Sequence, residues 1–152
     1  AILMAAAEAN QIPCVRTLGA RVLFADGFQG EPADAARRLA DLALALQDQL
    51  TDAFTEAELG LDFRMGLDQG PAIGLHDRHV VGGAVVAAEN WSIFGEAVRT
   101  AESLAETAPP GAIQVSETAQ AALAPEFLMR ARGRFFVPDG GEIGTWLVAG
   151  PA

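Results

Sequence analysis

The residues of this chain whose types and spacing could do chemistry are few. His76 and His79, with Asp77 between them, could hold a metal ion if a helix brought both imidazoles to one face. The glycines and prolines around them indicate a surface loop instead, and no third ligand cluster follows. Ser116 lacks the Gly-x-Ser-x-Gly context of a hydrolase nucleophile, so we interpret it as a helix N-cap.

Other residues of this kind also have simple structural interpretations. Cys14 stands in an apolar segment and is interpreted as a small core residue. Asp26 lies near a predicted strand end, where metal carboxylates often sit, but alone it is more typical of a turn or cap. Gly66, Gly70 and Gly74 recur every four residues without a Gly-x-Gly-x-x-Gly pattern or a following Lys. They therefore predict turns and no phosphate-binding loop.

The composition excludes several classes of function. The chain has 152 residues, and 20 Asp and Glu against 10 basic residues give a formal net charge of −10. All ten basic residues are Arg, so Walker-type loops and Schiff-base enzymes are excluded. The acidic charge disfavours nucleic acid as a partner. No apolar run approaches the ~20 residues that span a bilayer, and the one cysteine favours a reducing, cytoplasmic location.

Periodicity indicates the elements that must position any site. Apolar residues at spacings of three and four predict helices over residues 33–50 and 96–106, and Ser116 predicts the start of a helix over 117–123. Residues 1–4 form a short apolar run. Alternation and apolar runs predict strands over residues 14–24 with a central turn, 61–67, 82–88, 112–115, 134–137 and 143–148. Strands interleaved with helices indicate one α/β or α+β domain over residues 1–152.

Four segments and one helix, in this order, resemble the catalytic domain of class III nucleotidyl cyclases, the adenylate and guanylate cyclase family. Residues 14–24 (CVRTLGARVLF) resemble its Lys-Thr-x-Gly-Asp hairpin, and the helix over 33–50 resembles the one that follows. Residues 63–74 (FRMGLDQGPAIG) are similar to its glycine-rich strand and turn. Residues 93–117 (IFGEAVRTAESLAETAPPGAIQVSE) are the strongest match, and 132–148 (RGRFFVPDGGEIGTWLV) resemble its closing hairpin.

The resemblance implies a ferredoxin-like βαββαβ core with an added C-terminal hairpin. It also implies a homodimer that binds ATP or GTP between two head-to-tail domains. In active members two aspartates hold two Mg²⁺ or Mn²⁺ ions, which activate the ribose hydroxyl and the leaving pyrophosphate.

Three of the family's metal and base positions carry other residues here. The second metal aspartate falls on Ala20, which has no side-chain oxygen for a divalent cation. Arg16 stands at the position of the lysine that recognises the base, and Ser92 stands at the position of the second residue that recognises the purine. Arg16 keeps the charge, although a planar fork replaces a point charge.

Three further positions belong to the transition state and the triphosphate. The transition-state asparagine falls on Arg99 and the transition-state arginine on Ser103. The lysine that holds the triphosphate falls on Pro138, which donates no hydrogen bond. No catalytic or metal-binding residue of the family is therefore expected to be intact in this sequence.

The first metal aspartate has no counterpart in the printed sequence. Residues 1–5 resemble the first half of the family's opening strand, whereas residues 6–8 resemble the end of a later helix. Either the intervening elements are deleted, or a segment after residue 5 is omitted from the sequence. We expect the omission, because joining that strand directly to that helix end would remove one wall of the core.

These observations give a first hypothesis and two alternatives. The first is a cyclase-like domain in nucleotide signalling that is catalytically impaired and regulatory, with no cofactor evident. The second is an active atypical cyclase that converts ATP or GTP with Mg²⁺ or Mn²⁺, using Arg99 for charge. The third is an unrelated ferredoxin-like binding domain, because a fold does not dictate a function.

Overall fold

The computed structural model describes residues 2–12, 14–18, 21–26, 32–58, 60, 63–69, 73–81, 84–94, 96–124, 126–137 and 141–152. For six of these stretches it describes the backbone alone: residues 2–4, 14–18, 32–33, 73–81, 84–94 and 137. Within these ranges the chain forms four helices and eight strands. Their order is α1 (Ile2–Ala9), β1 (Cys14–Leu18), β2 (Arg21–Ala25), α2 (Pro32–Glu56), β3 (Met65–Leu67), β4 (Ile73–Val81), β5 (Ala84–Phe94), α3 (Glu96–Thr107), β6 (Ile113–Ser116), α4 (Glu117–Leu123), β7 (Phe127–Val137) and β8 (Gly141–Pro151).

Four of the strands form a mixed sheet in the order β3-β6-β8-β7. β3 and β6 are parallel, and the other neighbours are antiparallel. β1 pairs with β2, and β4 pairs with β5, as two antiparallel hairpins. This architecture confirms the predicted mixed α and β class.

Helix α2 is the element around which both hydrophobic clusters form. In the first cluster Ala36 and Ala40 pack with Ile113 and Val115 of β6. In the second, Leu42 and Leu46 pack against the alanines of α1. The apolar spacing of three and four along α2 makes this possible, because it gives the helix a continuous apolar stripe.

Helix α3 packs closely on β3, and a glycine allows it. A Cβ at Gly66 would collide with the backbone oxygen of Ala101 and the backbone nitrogen of Ala105. Leu104, which is fully buried, lies at the same contact. The absence of a side chain at position 66 therefore allows this short distance between helix and sheet.

Most predicted elements are confirmed, with longer bounds. The hairpin over residues 14–24 is β1 and β2, and the helices over 33–50 and 96–106 are α2 and α3. Ser116 caps α4, because its Oγ accepts the Ala119 N–H at 3.3 Å. The closing hairpin is the antiparallel pair β7 and β8.

Several predictions about local structure need correction. Gly66 and Gly74, which were predicted to lie in turns, belong to the strands β3 and β4. The opening strand that the resemblance implies for residues 1–5 is wrong, since this run continues into further alanines and forms α1. The strand predicted over 61–67 is shorter, because β3 spans Met65–Leu67 and residues 61–62 lie outside the described residues. α1 runs through Ala5 and Ala6 as one helix, and the expected omission after residue 5 stays a prediction that the full-length gene sequence tests.

His76 and His79 belong to a strand, so their placement in a loop is wrong. Both lie in β4, which pairs with β5, and the register shifts between Asp77 and His79. The predicted strand over 82–88 begins in fact at Ala84 in β5, and residues 82–83 lie outside the described residues. Among the described helices, none is long and apolar enough to cross a membrane.

Candidate functional site

Helix α3 carries both predicted transition-state positions. Arg99 and Ser103 are four residues apart, so they lie on the same side of the helix. The Arg99 side chain is exposed, and Ser103 is half-buried. One turn later, the Thr107 hydroxyl donates a hydrogen bond of 2.9 Å to the Ser103 carbonyl oxygen.

Arg21 joins the start of β2 to this helix. Its Nη2 donates to Glu106 Oε1 at 2.8 Å, and its Nη1 lies 3.9 Å from Glu102 Oε2. These side chains are exposed, so the ion pairs add little stability, but they bring β2 against α3. Arg21 was not predicted as a site residue, although its position directly after Ala20 was a usable signal.

The two predicted base-recognition positions lie on contacting strands. Arg16 is in β1 and pairs with Leu23, whereas Ser92 is in β5 and pairs with Leu75. β1 and β5 contact each other. For both residues the backbone alone is described, so their roles remain predictions.

The other two predicted positions, Ala20 and Pro138, lie outside the described residues. Among the side chains that are described, no group of three or more His, Cys, Asp or Glu residues could hold a metal ion. The assignments of metal, catalytic and nucleotide positions therefore all remain predictions.

A cluster that sequence reasoning missed lies at the carboxyl ends of β3 and β6. Asp68 follows β3, and its Oδ1 accepts hydrogen bonds from the Ser116 hydroxyl and, at 3.0 Å, from the Thr118 hydroxyl. Because β3 and β6 are parallel neighbours, their carboxyl ends meet at one edge of the sheet. Both strands were predicted, but their adjacency could not be read from either segment alone.

The environment of Asp68 changes its acidity. Burial raises the pKa of the Asp68 carboxyl above its ordinary value, and the Glu96 carboxylate adds a smaller rise. Hydrogen bonds from Ser116, Thr118 and the backbone at Gln69 partly offset this effect. The folded protein therefore disfavours the ionised form of Asp68.

Asp26 pairs with a cation of α2. The Arg38 Nε donates to Asp26 Oδ2 at 2.6 Å, and the Asp26 side chain is only 5% exposed. The hydrogen bond to Asp26 raises the pKa of Arg38 above its already high ordinary value. This contact joins the end of β2 to α2, whereas the interpretation of Asp26 as a turn or cap residue stays a prediction.

The start of α4 is joined to the closing hairpin. Glu117 Oε1 accepts the Gly144 N–H at 2.9 Å and the Arg134 Nη1 at 3.3 Å. Arg134 Nη2 also donates to the Glu142 carbonyl oxygen at 3.1 Å. These bonds fix the hairpin beside α4, close in sequence to the predicted triphosphate position at Pro138.

A family model described as "Adenylate and Guanylate cyclase catalytic domain" matches residues 3–150. A membrane guanylyl cyclase of Dictyostelium discoideum is 32% identical over 114 residues, which are 74% of this chain and 7% of that protein. This chain therefore spans only a small part of the curated relative.

Two solved structures show the same fold. One is the guanylate cyclase domain of RhGC from Catenaria anguillulae in complex with GTP, with a TM-score of 0.76, 21% identity, and coverage of 99% of this chain and 79% of that chain. The other is the adenylyl cyclase CyaB from P. aeruginosa, with a TM-score of 0.78, 15% identity, and coverage of 97% and 76%.

Proposed function

Because this chain belongs to the adenylate and guanylate cyclase catalytic domain family, we propose that it is a cyclase-homology domain that has lost catalysis and acts as a regulatory or ligand-sensing module. Its place is in cyclic-nucleotide signalling. A single cysteine also favours a reducing, cytoplasmic location.

The observation that carries this proposal is the serine on α3. The resemblance places at Ser103 the guanidinium that stabilises charge on the reacting phosphate. A half-buried hydroxyl supplies no full positive charge there. Loss of one preorganised group of this kind typically costs about 10²- to 10³-fold in rate, or ~3 to 4 kcal/mol.

The neighbourhood of the expected metal ligand supports the same proposal. Ala20 has no oxygen to offer a cation. The next residue, Arg21, brings a guanidinium that is paired with Glu102 and Glu106. Neither Ala20 nor Arg21 therefore offers an anionic ligand to a divalent cation.

A product assay tests the proposal directly. The protein is incubated with ATP or GTP in Mn²⁺ and in Mg²⁺, and cyclic nucleotide is separated by chromatography. We expect no product above a control without protein. Cyclic product from the unaltered chain would contradict the proposal.

A restored variant shows whether the replaced residues are the cause. Ala20→Asp, Arg99→Asn and Ser103→Arg together return three expected groups to their positions. Because losses of cooperating groups are not additive, the three changes are combined in one chain. Product from this variant, but not from the unaltered chain, would assign the loss to these positions.

One observation favours the alternative of an active atypical cyclase. Arg99 is exposed and lies on the same side of α3 as Ser103, so the helix carries a guanidinium one turn away from that serine. In that case Mg²⁺ or Mn²⁺ would be held by an aspartate outside the printed sequence. Activity that is lost in Arg99→Ala and kept in Arg64→Ala would establish this alternative.

Nucleotide binding is a separate question from catalysis. The contact between β1 and β5 supports a base site at Arg16 and Ser92. The resemblance puts Pro138 at the position of the lysine that holds the triphosphate. Calorimetric titration with ATP and GTP in Mn²⁺ tests it. Binding that is weakened in Arg16→Ala would support a ligand-sensing role, whereas the absence of binding would leave a protein partner as the input.

A further inference from the structure

A cavity of about 330 Å³ opens between α2, the turn before β6, and the strands β7 and β8. Gln47, Gly111, Arg130 and Leu147 are among the residues that line it. Pockets for small ligands begin at about this volume. Of the positions that the cyclase resemblance singles out, Arg99 and Ser103 have described side chains, and neither lines the cavity.

Arg130 supplies a positive charge at this cavity. Its side chain is exposed, and within the described part of the chain it makes no hydrogen bond or ion pair. The guanidinium groups of five other arginines are paired with carboxylate, amide or carbonyl oxygens: Arg21, Arg37, Arg38, Arg132 and Arg134. In a chain with twice as many carboxylates as arginines, Arg130 is thus available to an anion from outside.

The polar wall of the cavity is held in place before any ligand binds. Gln47 Nε2 donates to the Gly111 carbonyl oxygen at 2.9 Å, and the Gly111 N–H donates to the Phe63 carbonyl oxygen at 2.7 Å. The φ of Gly111 is 78°, a conformation that favours glycine. Within the described residues, the second hydrogen and the oxygen of the Gln47 amide have no protein partner and can bind a ligand.

The apolar wall lies beside the charge. Leu147 of β8 is in register with Arg130 of β7 on one side and Gln114 of β6 on the other. Residues in register on neighbouring strands point to the same face, with Cβ atoms about 4.5 to 5.5 Å apart. An aliphatic side chain is therefore next to an unpaired guanidinium.

We propose that this cavity binds a small aliphatic carboxylate, which pairs with Arg130 while its hydrocarbon chain packs against Leu147. A guanidinium matches a carboxylate with two parallel hydrogen bonds. A single cation in a protein of net charge −10 favours a monoanion over a phosphate dianion. The proposal does not depend on whether the domain is catalytically impaired.

A titration with butyrate, followed by amide NMR shifts of the ¹⁵N-labelled full chain, tests the proposal. We expect saturable shifts at Gly111 and Leu147, with a Kd on the order of 1 mM because the site is partly open to water. Butyramide has the same shape without the charge and should shift neither amide. Inorganic phosphate should bind more weakly than butyrate.

Two variants separate a specific site from general attraction of anions. Arg130→Gln should weaken butyrate binding by at least about tenfold, since the two charge-assisted hydrogen bonds to the carboxylate are lost. Arg64→Gln is the matched control, because Arg64 is also exposed and does not line the cavity. Four outcomes would each overturn the proposal. Two concern the ligand: equal shifts with butyrate and butyramide, or phosphate binding as tightly as butyrate or more tightly. The other two are unchanged butyrate binding in Arg130→Gln and no saturation below about 50 mM.

Discussion

At the scale of single residues, Asp68 shows how the fold changes a side chain's chemistry. Its carboxyl accepts hydrogen bonds from Ser116 and Thr118, yet burial still raises its pKa. A group whose pKa is raised on folding contributes its full stability below the pKa of the unfolded chain. That contribution is lost as the pH rises through the raised pKa.

The variant Asp68→Asn should therefore be more stable than the unaltered protein at pH 7. The amide keeps an oxygen for Ser116 and Thr118 and carries no charge to desolvate. Thermal unfolding between pH 4 and pH 8, read by circular dichroism, should show a Tm difference that is smallest at the acid end and grows with pH. Asp41→Asn, at an exposed position of α2, serves as the control. A lower Tm for Asp68→Asn at pH 7 would contradict this explanation.

Arg132 is a second residue whose effect is local. Its Nη1 donates to Gln114 Oε1 at 2.6 Å and to the Thr107 carbonyl oxygen, and its guanidinium lies 4.6 Å from the Phe135 ring centroid. Gln114 is fully buried, and its Nε2 donates to the Leu104 carbonyl oxygen at 2.8 Å. Arg132 therefore satisfies a buried amide that joins β6 to α3.

Arg132→Met should lower the free energy of unfolding by about 1 to 3 kcal/mol, because a buried amide oxygen loses its donor. Arg130→Met, two residues earlier on the same strand, removes an unpaired guanidinium and should change it by less than about 0.5 kcal/mol. Urea unfolding of the two variants measures both values. Equal effects would mean that the bond to Gln114 contributes nothing.

At the scale of elements, the contact between α3 and β3 depends on the glycine at position 66. A Cβ there would meet the α3 backbone at Ala101 and Ala105, and the Leu104 Cβ at 2.9 Å. Backbone atoms of a helix cannot rotate away as a long side chain can. The helix must therefore shift as a whole if this position gains a side chain.

We expect Gly66→Ala to lower the free energy of unfolding by at least about 3 kcal/mol, at the upper end of overpacking effects. Gly60→Ala is the matched control, because a Cβ at Gly60 would meet no atom within 4 Å. Thermal and urea unfolding of both variants would measure the difference. A Gly66→Ala protein as stable as Gly60→Ala would show that α3 can move without cost.

At the scale of the whole molecule, the net charge of −10 and an exposed aromatic residue bear on association. Phe136 is 75% exposed on β7, near the closing turn. Large exposed apolar side chains often mark contact surfaces. The homodimer that the cyclase resemblance implies would bring two strongly acidic copies together, so salt should strengthen it by screening.

Sedimentation equilibrium tests this expectation. The dimer fraction should rise between about 0.05 M and 0.5 M salt, as the screening length falls. Phe136→Asp should abolish the dimer, whereas Leu128→Asp, at an exposed position near the other end of β7, should leave it. Monomer alone at every concentration and salt level would rule out the homodimer.

The sequence by itself determined the elements whose signals are local. Three such signals are the spacing of apolar residues in α2, the cap at Ser116 and the turn residues of the closing hairpin. Each acts within a few residues, so the order of the residues was sufficient to predict these elements. The shared side of α3 on which Arg99 and Ser103 lie followed for the same reason, because a helix fixes the side on which residues four apart lie. Their transition-state roles rest on the resemblance and stay predictions.

Tertiary structure decided which segments became neighbours. Residues 1–4 are an apolar run that suits a strand or a helix, and packing of Ala6 and Ala7 on α2 favours the helix α1. His76 and His79 entered a strand because β5 supplied hydrogen-bonding partners. The pairing of distant strands in one sheet brings Asp68 within hydrogen-bonding distance of Ser116 and places Arg130 beside Leu147 at the cavity. Such contacts depend on strand pairing and register, which no single segment encodes.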